Sequence, residues 1–268
     1  MNKEQRDAIY EQAKQWVLDA GINIRKHMHD ELKIETKSNR NDLVTSLDKE
    51  TEHFFVRNIK EHFPDHSIIG EEGYGDPICS LEGTVWIIDP IDGTMNFVHQ
   101  KRNFAISIGI YHNGQGEIGF IYDVMADILY HAKKGEGAYK NDRFLPPLKK
   151  SVQLKDALIS LNHNWLCPNK LVDEKKMQQF IRSIRGARTI GSAAIEFAHV
   201  AEGIADGYLS LSLMPWDVAA GLIIVHEVGG TATNIDGKPL NLLGKDSLVV
   251  CNRAIQQDIL GFLRKAKQ

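Results

Sequence analysis

Two aspartates that follow an apolar segment are the residues of this sequence best suited to chemistry. The apolar run 85–88 leads directly into Asp89-Pro90-Ile91-Asp92-Gly93-Thr94. Such a run predicts a buried strand, and open α/β sheets place ligand sites at the carboxyl ends of their strands. The proline fixes its own φ and the glycine permits a positive φ, so we expect a rigid turn that aims both carboxylates at one point. Because carboxylates at one point repel each other unless a cation or a shared proton intervenes, a metal ion is the first hypothesis.

Four further acidic residues accompany this turn. Glu71 and Glu72 follow the apolar residues 68–69 and a glycine, and Asp217 begins an apolar helix. Each acid has an ordinary explanation: the Glu pair fits a solvated turn, Asp217 fits a helix N-cap, and Asp48 fits the acid of a capping box. Taken together, charges at the ends of apolar strands and helices would be costly if they were unpaired. All-carboxylate ligation selects hard cations, so the pattern indicates Mg²⁺ or Mn²⁺ rather than zinc.

Two glycine-containing segments are expected to begin helices near these acids. They are Gly93-Thr94 and Gly191-Ser192-Ala193. Free amides and the helix dipole at such a start favour an anion, which suggests a phosphate group in the ligand. Ser192 is equally well explained as an ordinary helix N-cap.

The remaining pattern predicts the elements that must position these residues. We expect helices at 3–28 and about 47–62, a polar loop at 31–44, and a β-meander over 104–144. After a linker candidate at 145–150 the pattern alternates, with strands at 157–161, 206–213, 231–234 and 247–251 and helices at 170–184, 192–202, 217–228 and 254–266. Such alternation predicts layered helices and sheets.

Composition and charge narrow the classes of partner. The 268 residues are 43% hydrophobic and 25% charged, with a formal net charge of −3, which favours neither nucleic acid nor an anionic membrane. Cys79, Cys167 and Cys251 are far apart, which argues against a disulfide framework and fits a reducing compartment. The N-terminal stretch is charged and amphipathic, and no apolar run approaches the ~20 residues that span a bilayer. We therefore expect a soluble cytoplasmic protein.

Three motifs together resemble the inositol monophosphatase family of Mg²⁺-dependent phosphatases, over essentially the whole chain. They are Gly70-Glu71-Glu72, the segment from Trp86 to Thr94, and Trp216-Asp217-Val218-Ala219-Ala220-Gly221 with Gly229-Gly230 behind it. The resemblance implies an α+β fold, a layered α-β-α-β-α sandwich. It also implies a single catalytic domain over 1–268, with a metal-binding lobe at about 1–147 and an α/β lobe at about 148–268. A homodimer and inhibition by lithium are family traits.

The resemblance also implies a role for individual residues. Glu71, Asp89 and the Ile91 carbonyl would bind one Mg²⁺, and Asp89, Asp92 and Asp217 would bind a second. The catalytic residues would be Thr94 and Asp48, which position and help deprotonate the attacking water, together with Glu71. Lys37 would lie on a mobile loop that completes the site. Substrate contacts would come from both sides of the site, namely Asp92, Gly93, Thr94, Gly191, Ser192, Ala193, Ser210 and Asp217.

Ser210 is where this sequence departs from the family pattern. Members selective for inositol phosphate carry a glutamate seven residues before the motif aspartate, and a serine hydroxyl cannot span the same distance. Inositol 1-phosphate is the first expectation for the substrate. Fructose 1,6-bisphosphate, the 2′-phosphate of NADP and a 3′-phosphoadenosine nucleotide stay open.

Two rival interpretations concern the reaction itself. An aspartyl-phosphate mechanism also uses acids after a buried strand, but here two residues separate the aspartates, which is the wrong register for that chemistry. The other rival is a non-catalytic binding or regulatory partner built on the same scaffold.

Overall fold

Helices and strands alternate along the chain in the computed structural model, which describes residues 1–37 and 43–267. The helices among these residues are α1 (Lys3–His27), α2 (Ser46–His62), α3 (Thr94–Gln100), α4 (Glu174–Ser183), α5 (Ala193–Glu202), α6 (Pro215–Glu227) and α7 (Gln256–Ala266). The strands are β1 (Ile34–Thr36), β2 (Leu43–Thr45), β3 (Ser67–Gly70), β4 (Thr84–Asp92), β5 (Ala105–His112), β6 (Gln115–Asp123), β7 (Ile128–Lys133), β8 (Ala138–Lys140), β9 (Arg143–Phe144), β10 (Leu158–Leu161), β11 (Gly186–Arg188), β12 (Gly207–Leu213), β13 (Thr231–Thr233) and β14 (Asp246–Cys251). The part of the predicted loop at 38–42 lies outside the described residues.

Two mixed sheets organise the described part of the chain. The larger sheet has seven strands in the order β3-β4-β5-β6-β7-β8-β9, and only β3 and β4 run parallel to each other. The smaller sheet has the order β11-β10-β12-β14-β13, with β10 parallel to both of its neighbours. The predicted meander over 104–144 is confirmed as β5 to β9.

Helices cover both faces of both sheets and form a layered sandwich. Helices α1 and α2 bury their apolar faces against one side of the larger sheet. Helices α5 and α6 lie between the two sheets and share one apolar core with both. Helices α4 and α7 cover the outer side of the smaller sheet. The order is therefore α-β-α-β-α, as the resemblance implied.

Close packing of α6 on the larger sheet sets the position of the helix. A Cβ on Gly109 of β5 would lie 2.7 Å from the Ala219 backbone, and one on Gly119 of β6 would lie 2.7 Å from the Ala220 carbonyl oxygen. The helix can approach this closely only because both strands have glycine where it crosses. This approach brings the N-terminus of α6 to the carboxyl end of β4.

The predicted turn at Asp89–Thr94 begins later than expected. Strand β4 continues to Asp92, with an irregularity between Asp89 and Asp92, after which Asp92 pairs with Ala105. Pro90 lies within this irregularity, where its missing N–H costs no ladder hydrogen bond. The chain turns only at Gly93, whose φ is +91°. The predicted start of the turn at Asp89 was therefore wrong, because a bulge rather than a turn separates the two aspartates.

Segment 145–150 connects the two sheets and is itself packed. Leu145 is 1% exposed, and the Leu148 N–H donates to the Val228 carbonyl at 2.9 Å. The predicted linker is thus held against the end of α6.

None of the helices in the described ranges combines the length and the apolar composition needed to cross a membrane.

Candidate active site

The carboxyl end of β4 delivers two aspartates to one point in the structure. Asp89 and Asp92 are 2% and 5% exposed, on either side of the bulge. Asp89 also accepts a hydrogen bond from the Ile91 N–H at 3.0 Å, which fixes one of its oxygens. Apolar neighbours on both faces of β4 hold this end of the strand in place.

The first turn of α6 supplies a third carboxylate. Pro215 occupies the first helical position, where its missing N–H is tolerated, and Asp217 follows two residues later. The Asp217 carboxylate accepts from the Met214 N–H at 2.7 Å. Asp217 is therefore not an N-cap, and α6 begins two residues before the predicted start. Ligand oxygens of Asp89, Asp92 and Asp217 all lie within 4.8 Å of one another; we call these three residues the carboxylate centre.

The carboxylate centre is electrostatically costly in the absence of a cation. Burial and the neighbouring carboxylates of Glu71 and Asp92 raise the pKa of Asp89 well above its ordinary value. Burial also raises the pKa of Asp92 to about 6 and that of Asp217 well above the usual range. Within residues 1–37 and 43–267, no lysine or arginine forms an ion pair with these three carboxylates. The described chain therefore provides no ion pair that compensates the centre.

Thr94 and Asp48 form a hydrogen-bonded pair next to the carboxylate centre. The Thr94 hydroxyl lies 3.1 Å from Asp48 Oδ1 and 3.1 Å from the Ile91 carbonyl oxygen, so it can donate to either. Asp48 is fully buried, and its other oxygen accepts from the Thr45 N–H and hydroxyl. Burial raises the pKa of Asp48 to about 6. The capping box and the contact with Thr94 are thus both present, one on each oxygen of the carboxylate.

Glu71 enters the site from the end of β3 and contacts Lys37. Its carboxylate lines the same cavity as Asp89 and accepts from Lys37 Nζ at 2.9 Å. Lys37 also donates to Glu72 at 2.7 Å, and burial raises the pKa of Glu72 to about 7. The predicted residue Lys37 is therefore brought to the site.

The N-terminus of α5 contacts the site through Asp92. The Asp92 carboxylate accepts from the Ser192 hydroxyl, from the Ala194 N–H at 2.8 Å and from the Ala193 N–H at 3.3 Å. The Ser192 hydroxyl oxygen also accepts from the Ile195 N–H at 3.3 Å, so Ser192 is the N-cap of the helix. The N-cap interpretation is confirmed, and the same side chain also contacts the site.

A cavity of about 200 Å³ brings most of the predicted residues together. Its described lining consists of Leu43, Glu71, Asp89, Ile91, Asp92, Gly93, Thr94, Met95, Gly191 and Asp217. Ser210 is not among these described residues; it is 5% exposed on β12 and its hydroxyl contacts that of Tyr208. A larger cavity of about 570 Å³ lies beside the C-terminal half of α6, at the far end of β5, away from the carboxylates. Cavity size alone would therefore not identify the site that contains the carboxylates.

The donor set fits a hard divalent cation. Mg²⁺ and Mn²⁺ prefer carboxylate and carbonyl oxygens, which Glu71, Asp89, Asp92, Asp217 and the Ile91 carbonyl offer around one cavity. The Ile91 carbonyl accepts at most one hydrogen bond, from Thr94, and so retains a lone pair for a cation. A bound cation would remove the like-charge repulsion that raises these pKa values.

Glu52 supports the site and was missed by the sequence analysis. It is fully buried on α2, and its carboxylate accepts from the Glu72 N–H at 2.7 Å and the Tyr74 N–H at 2.9 Å. It thereby fixes the turn that carries Glu71. The available signal was its spacing, because Glu52 falls on the buried face of α2.

Comparison with known proteins assigns the family. A model of the inositol monophosphatase family matches residues 5–268. The chain belongs to the inositol monophosphatase family. An inositol-1-monophosphatase of Bacillus subtilis (strain 168) is 54% identical over 251 residues, which cover 94% of each chain.

Solved structures in this family share the fold. Inositol monophosphatase-II from Staphylococcus aureus MSSA476 is 46% identical, covers 96% of both chains and has a TM-score of 0.88. An IMPase/NADP phosphatase complexed with Mg²⁺ and phosphate is 26% identical, covers 98% of this chain and 99% of that chain, and has a TM-score of 0.91. The membership predicted from the three inositol monophosphatase motifs is confirmed.

Proposed function

We propose that this member of the inositol monophosphatase family is a phosphoric monoester hydrolase that depends on Mg²⁺, with Mn²⁺ as the alternative ion. The observation that carries the proposal is the carboxylate centre beside the Thr94–Asp48 pair. Three acids without a cationic partner from the described chain adjoin a hydroxyl that is hydrogen-bonded to a buried carboxylate. This combination suits activation of a water next to a bound anion.

More than one cation fits the proposed chemistry. We assign Glu71, Asp89 and the Ile91 carbonyl to one ion, and Asp89, Asp92 and Asp217 to a second. When bound, such ions lower the pKa of a water and neutralise charge on the phosphoryl and leaving oxygens. Few arginines are then needed at the site.

Chain residues position the water and take its proton in this scheme. The Thr94 hydroxyl accepts a hydrogen bond from the water and donates to Asp48, so the Asp48 carboxylate orients the hydroxyl and draws the proton towards it. Glu71 faces the same cavity and completes the catalytic set. We assign Gly93, Gly191, Ser192 and Ala193 to the side that contacts the phosphomonoester; Gly93 and Gly191 line the cavity, and Ser192 and Ala193 lie behind them against Asp92.

Inositol 1-phosphate is the substrate we propose first. A related crystal structure, SaIMPase-II, holds inositol monophosphate, which supports this choice. The second candidate is a nucleotide 2′-phosphate, as in NADP, and a specific observation favours it. Ser210 lacks the reach of the acid that contacts inositol hydroxyls, and SaIMPase-II has also been crystallised with 2′-AMP.

A phosphate-release screen tests the activity and the substrate together. It compares inositol 1-phosphate, NADP, fructose 1,6-bisphosphate and 3′-phosphoadenosine 5′-phosphate, each with Mg²⁺, with EDTA, and with Mg²⁺ plus lithium. We expect Mg²⁺-dependent release from inositol 1-phosphate, inhibited by lithium. Faster release from NADP would support the second candidate, and no release from any compound would favour a non-catalytic binding partner.

We also propose a cytoplasmic homodimer in which each chain is one catalytic domain with two lobes divided near residue 147. Free Cys79, Cys167 and Cys251 fit a reducing compartment. The core shared between the two sheets supports one domain rather than two independent ones. Light scattering on purified protein should give twice the monomer mass; a monomer would contradict the dimer.

A further inference from the structure

The segment that leads into α5 carries Gly191 to the rim of the site cavity and is held by two buried side chains. The N–H of Ile190 donates to Glu196 Oε1 at 2.8 Å, and the Ile190 carbonyl accepts from Asn96 Nδ2 at 2.9 Å. The peptide groups on both sides of Ile190 are thus bound from two different helices. Gly191, the next residue, is exposed and lines the cavity.

Burying the Glu196 carboxyl costs free energy that packing alone does not require. It is 3% exposed, and its Oε2 is buried with no hydrogen-bond partner among the described residues. Burial raises the pKa of its carboxyl, although the Ser160 hydroxyl and the Ile190 N–H oppose this shift. An apolar residue at this position of α5 would avoid the desolvation cost. Of the two groups that hydrogen-bond to Glu196, the Ile190 N–H is the one that lies on the segment carrying Gly191.

The amide nitrogen of Asn96 donates two hydrogen bonds, one of them to the same segment. It is 7% exposed on α3, and its amide nitrogen donates to the Asn103 carbonyl at 2.8 Å as well as to Ile190. Gly191 has a φ of +90°, and a Cβ there would lie 3.2 Å from Asn96 Nδ2. Gly191 therefore turns directly over the Asn96 amide.

We propose that Asn96 and Glu196 are positioning residues that hold Gly191 and the start of α5 in place for binding of the phosphomonoester. The inference rests on the proposed function, because the segment matters through the ligand that it faces. The Thr189 hydroxyl donates to the Leu161 carbonyl at 2.5 Å, so the chain is anchored up to that residue. Beyond it, the two side chains determine where Gly191 lies and how Ser192 meets Asp92.

The kinetic test compares Asn96→Ala, Glu196→Ala and Glu196→Gln with a matched remote variant, Asn252→Ala. Asn252 is also buried, donating to the Lys149 carbonyl at 2.7 Å and accepting from the Ala254 N–H at 3.0 Å. Misplacement of a binding wall should raise KM roughly tenfold, with kcat within about threefold, in both alanine variants. Glu196→Gln keeps the acceptor for Ile190 and should restore KM; Asn252→Ala should leave KM unchanged.

The double variant tests whether the two side chains act on one segment. If either loss already frees Gly191, Asn96→Ala with Glu196→Ala should raise KM about as much as the worse single variant. The inference would be overturned if the two single effects on KM multiplied in the double variant. It would also be overturned if KM were unchanged in both single variants, or if Glu196→Gln failed to restore KM.

Hydrogen exchange separates this inference from the proposed function. The Ile190 amide should lose protection in Glu196→Ala and regain it in Glu196→Gln, with Asn252→Ala like the wild type. An inactive wild-type protein that shows this exchange pattern would refute the phosphatase but leave the contact intact. An active wild-type protein in which Glu196→Ala leaves exchange at Ile190 unchanged would refute the positioning role but not the proposed function.

Discussion

Acids at the two ends of the larger sheet are compensated in different ways. At the far end, Arg6 pairs with Glu117 at 3.1 Å, and Lys133 pairs with Asp7 at 2.6 Å and with Glu136 at 2.9 Å; we call these five residues the ion-pair end. At the carboxylate centre, the acids accept hydrogen bonds from amides and a hydroxyl but pair with no cationic side chain of the described residues. Among the described residues, basic side chains thus neutralise the acids of the ion-pair end, whereas at the other end Lys37 pairs with Glu71 and Glu72 but not with the carboxylate centre. The difference indicates that the other end is completed by an ion from solution.

The largest effect is expected from a substitution in the carboxylate centre. Asp92→Asn should fold normally, because an amide has the same shape and removes a buried charge, but it should lose Mg²⁺-dependent phosphate release by at least ~100-fold. Glu117→Gln removes a buried acid from the ion-pair end and is the matched control, with activity within about twofold of wild type. Equal activity losses in the two variants would show that the ends do not differ in function.

Thr94→Val is the next largest change. Valine keeps the shape of threonine but cannot relay a proton to Asp48, so kcat should fall by roughly 100-fold, the usual contribution of general acid–base catalysis. Mg²⁺ binding measured by calorimetry should be unchanged, because no carboxylate is altered. A wild-type kcat in this variant would remove Thr94 from the mechanism.

At the ion-pair end the expected effect is on stability rather than activity. Glu117 has only 4% of its side chain exposed and also lies 3.4 Å from Lys134. Glu117→Gln leaves Arg6 with Glu136 at 3.3 Å as its remaining carboxylate partner and should lower the free energy of unfolding by about 1–3 kcal/mol. Urea unfolding measures the loss, with Glu82→Gln on the exposed neighbouring loop as control. A loss no larger than in that control would contradict the role of the pair.

The smallest expected effect is a pH dependence from His131, beside the ion-pair end. His131 Nε2 lies 2.8 Å from the Asn141 carbonyl and must donate to it, so Nδ1 accepts from the Tyr10 hydroxyl at 2.9 Å. Burial lowers the pKa of His131, although the Asn141 carbonyl opposes the shift.

The unfolded chain then binds more protons than the folded protein just below pH 6.5, so stability falls as the pH drops through that value. The slope contributed by one group cannot exceed about 1.4 kcal/mol per pH unit. Urea unfolding between pH 7.5 and 5 should show a shallower pH dependence in His131→Gln than in the wild type. An identical dependence would show that His131 titrates normally.

Sequence patterns predicted the elements whose signals are local. β4 and α6 are long apolar runs flanked by acids, so their existence and the proximity of Asp89, Asp92 and Asp217 followed from periodicity and family motifs. The three-residue strands β1, β2 and β11 are too short to show a period. The bulge in β4 depends on its register with β5, which no local pattern contains.

Supporting side chains were harder to predict than the carboxylates themselves. Glu196 and Asn96 both contact Ile190, and Asn96 lies 94 residues away along the chain. Local sequence presents Glu196 as an acid in an apolar helix and Asn96 as a polar residue in a short one. Their relation to the site exists only once α3, α5 and the Ile190 segment are packed together.

The most direct test of the central claim is the thermal midpoint in Mg²⁺ minus that in EDTA, measured for the wild type, Asp89→Asn and Glu117→Gln. A ligand that binds only the folded state raises the midpoint. We predict a clear rise in the wild type and in Glu117→Gln, and little or no rise in Asp89→Asn. The same rise in Asp89→Asn as in the wild type would contradict the assignment of the carboxylate centre as the cation site.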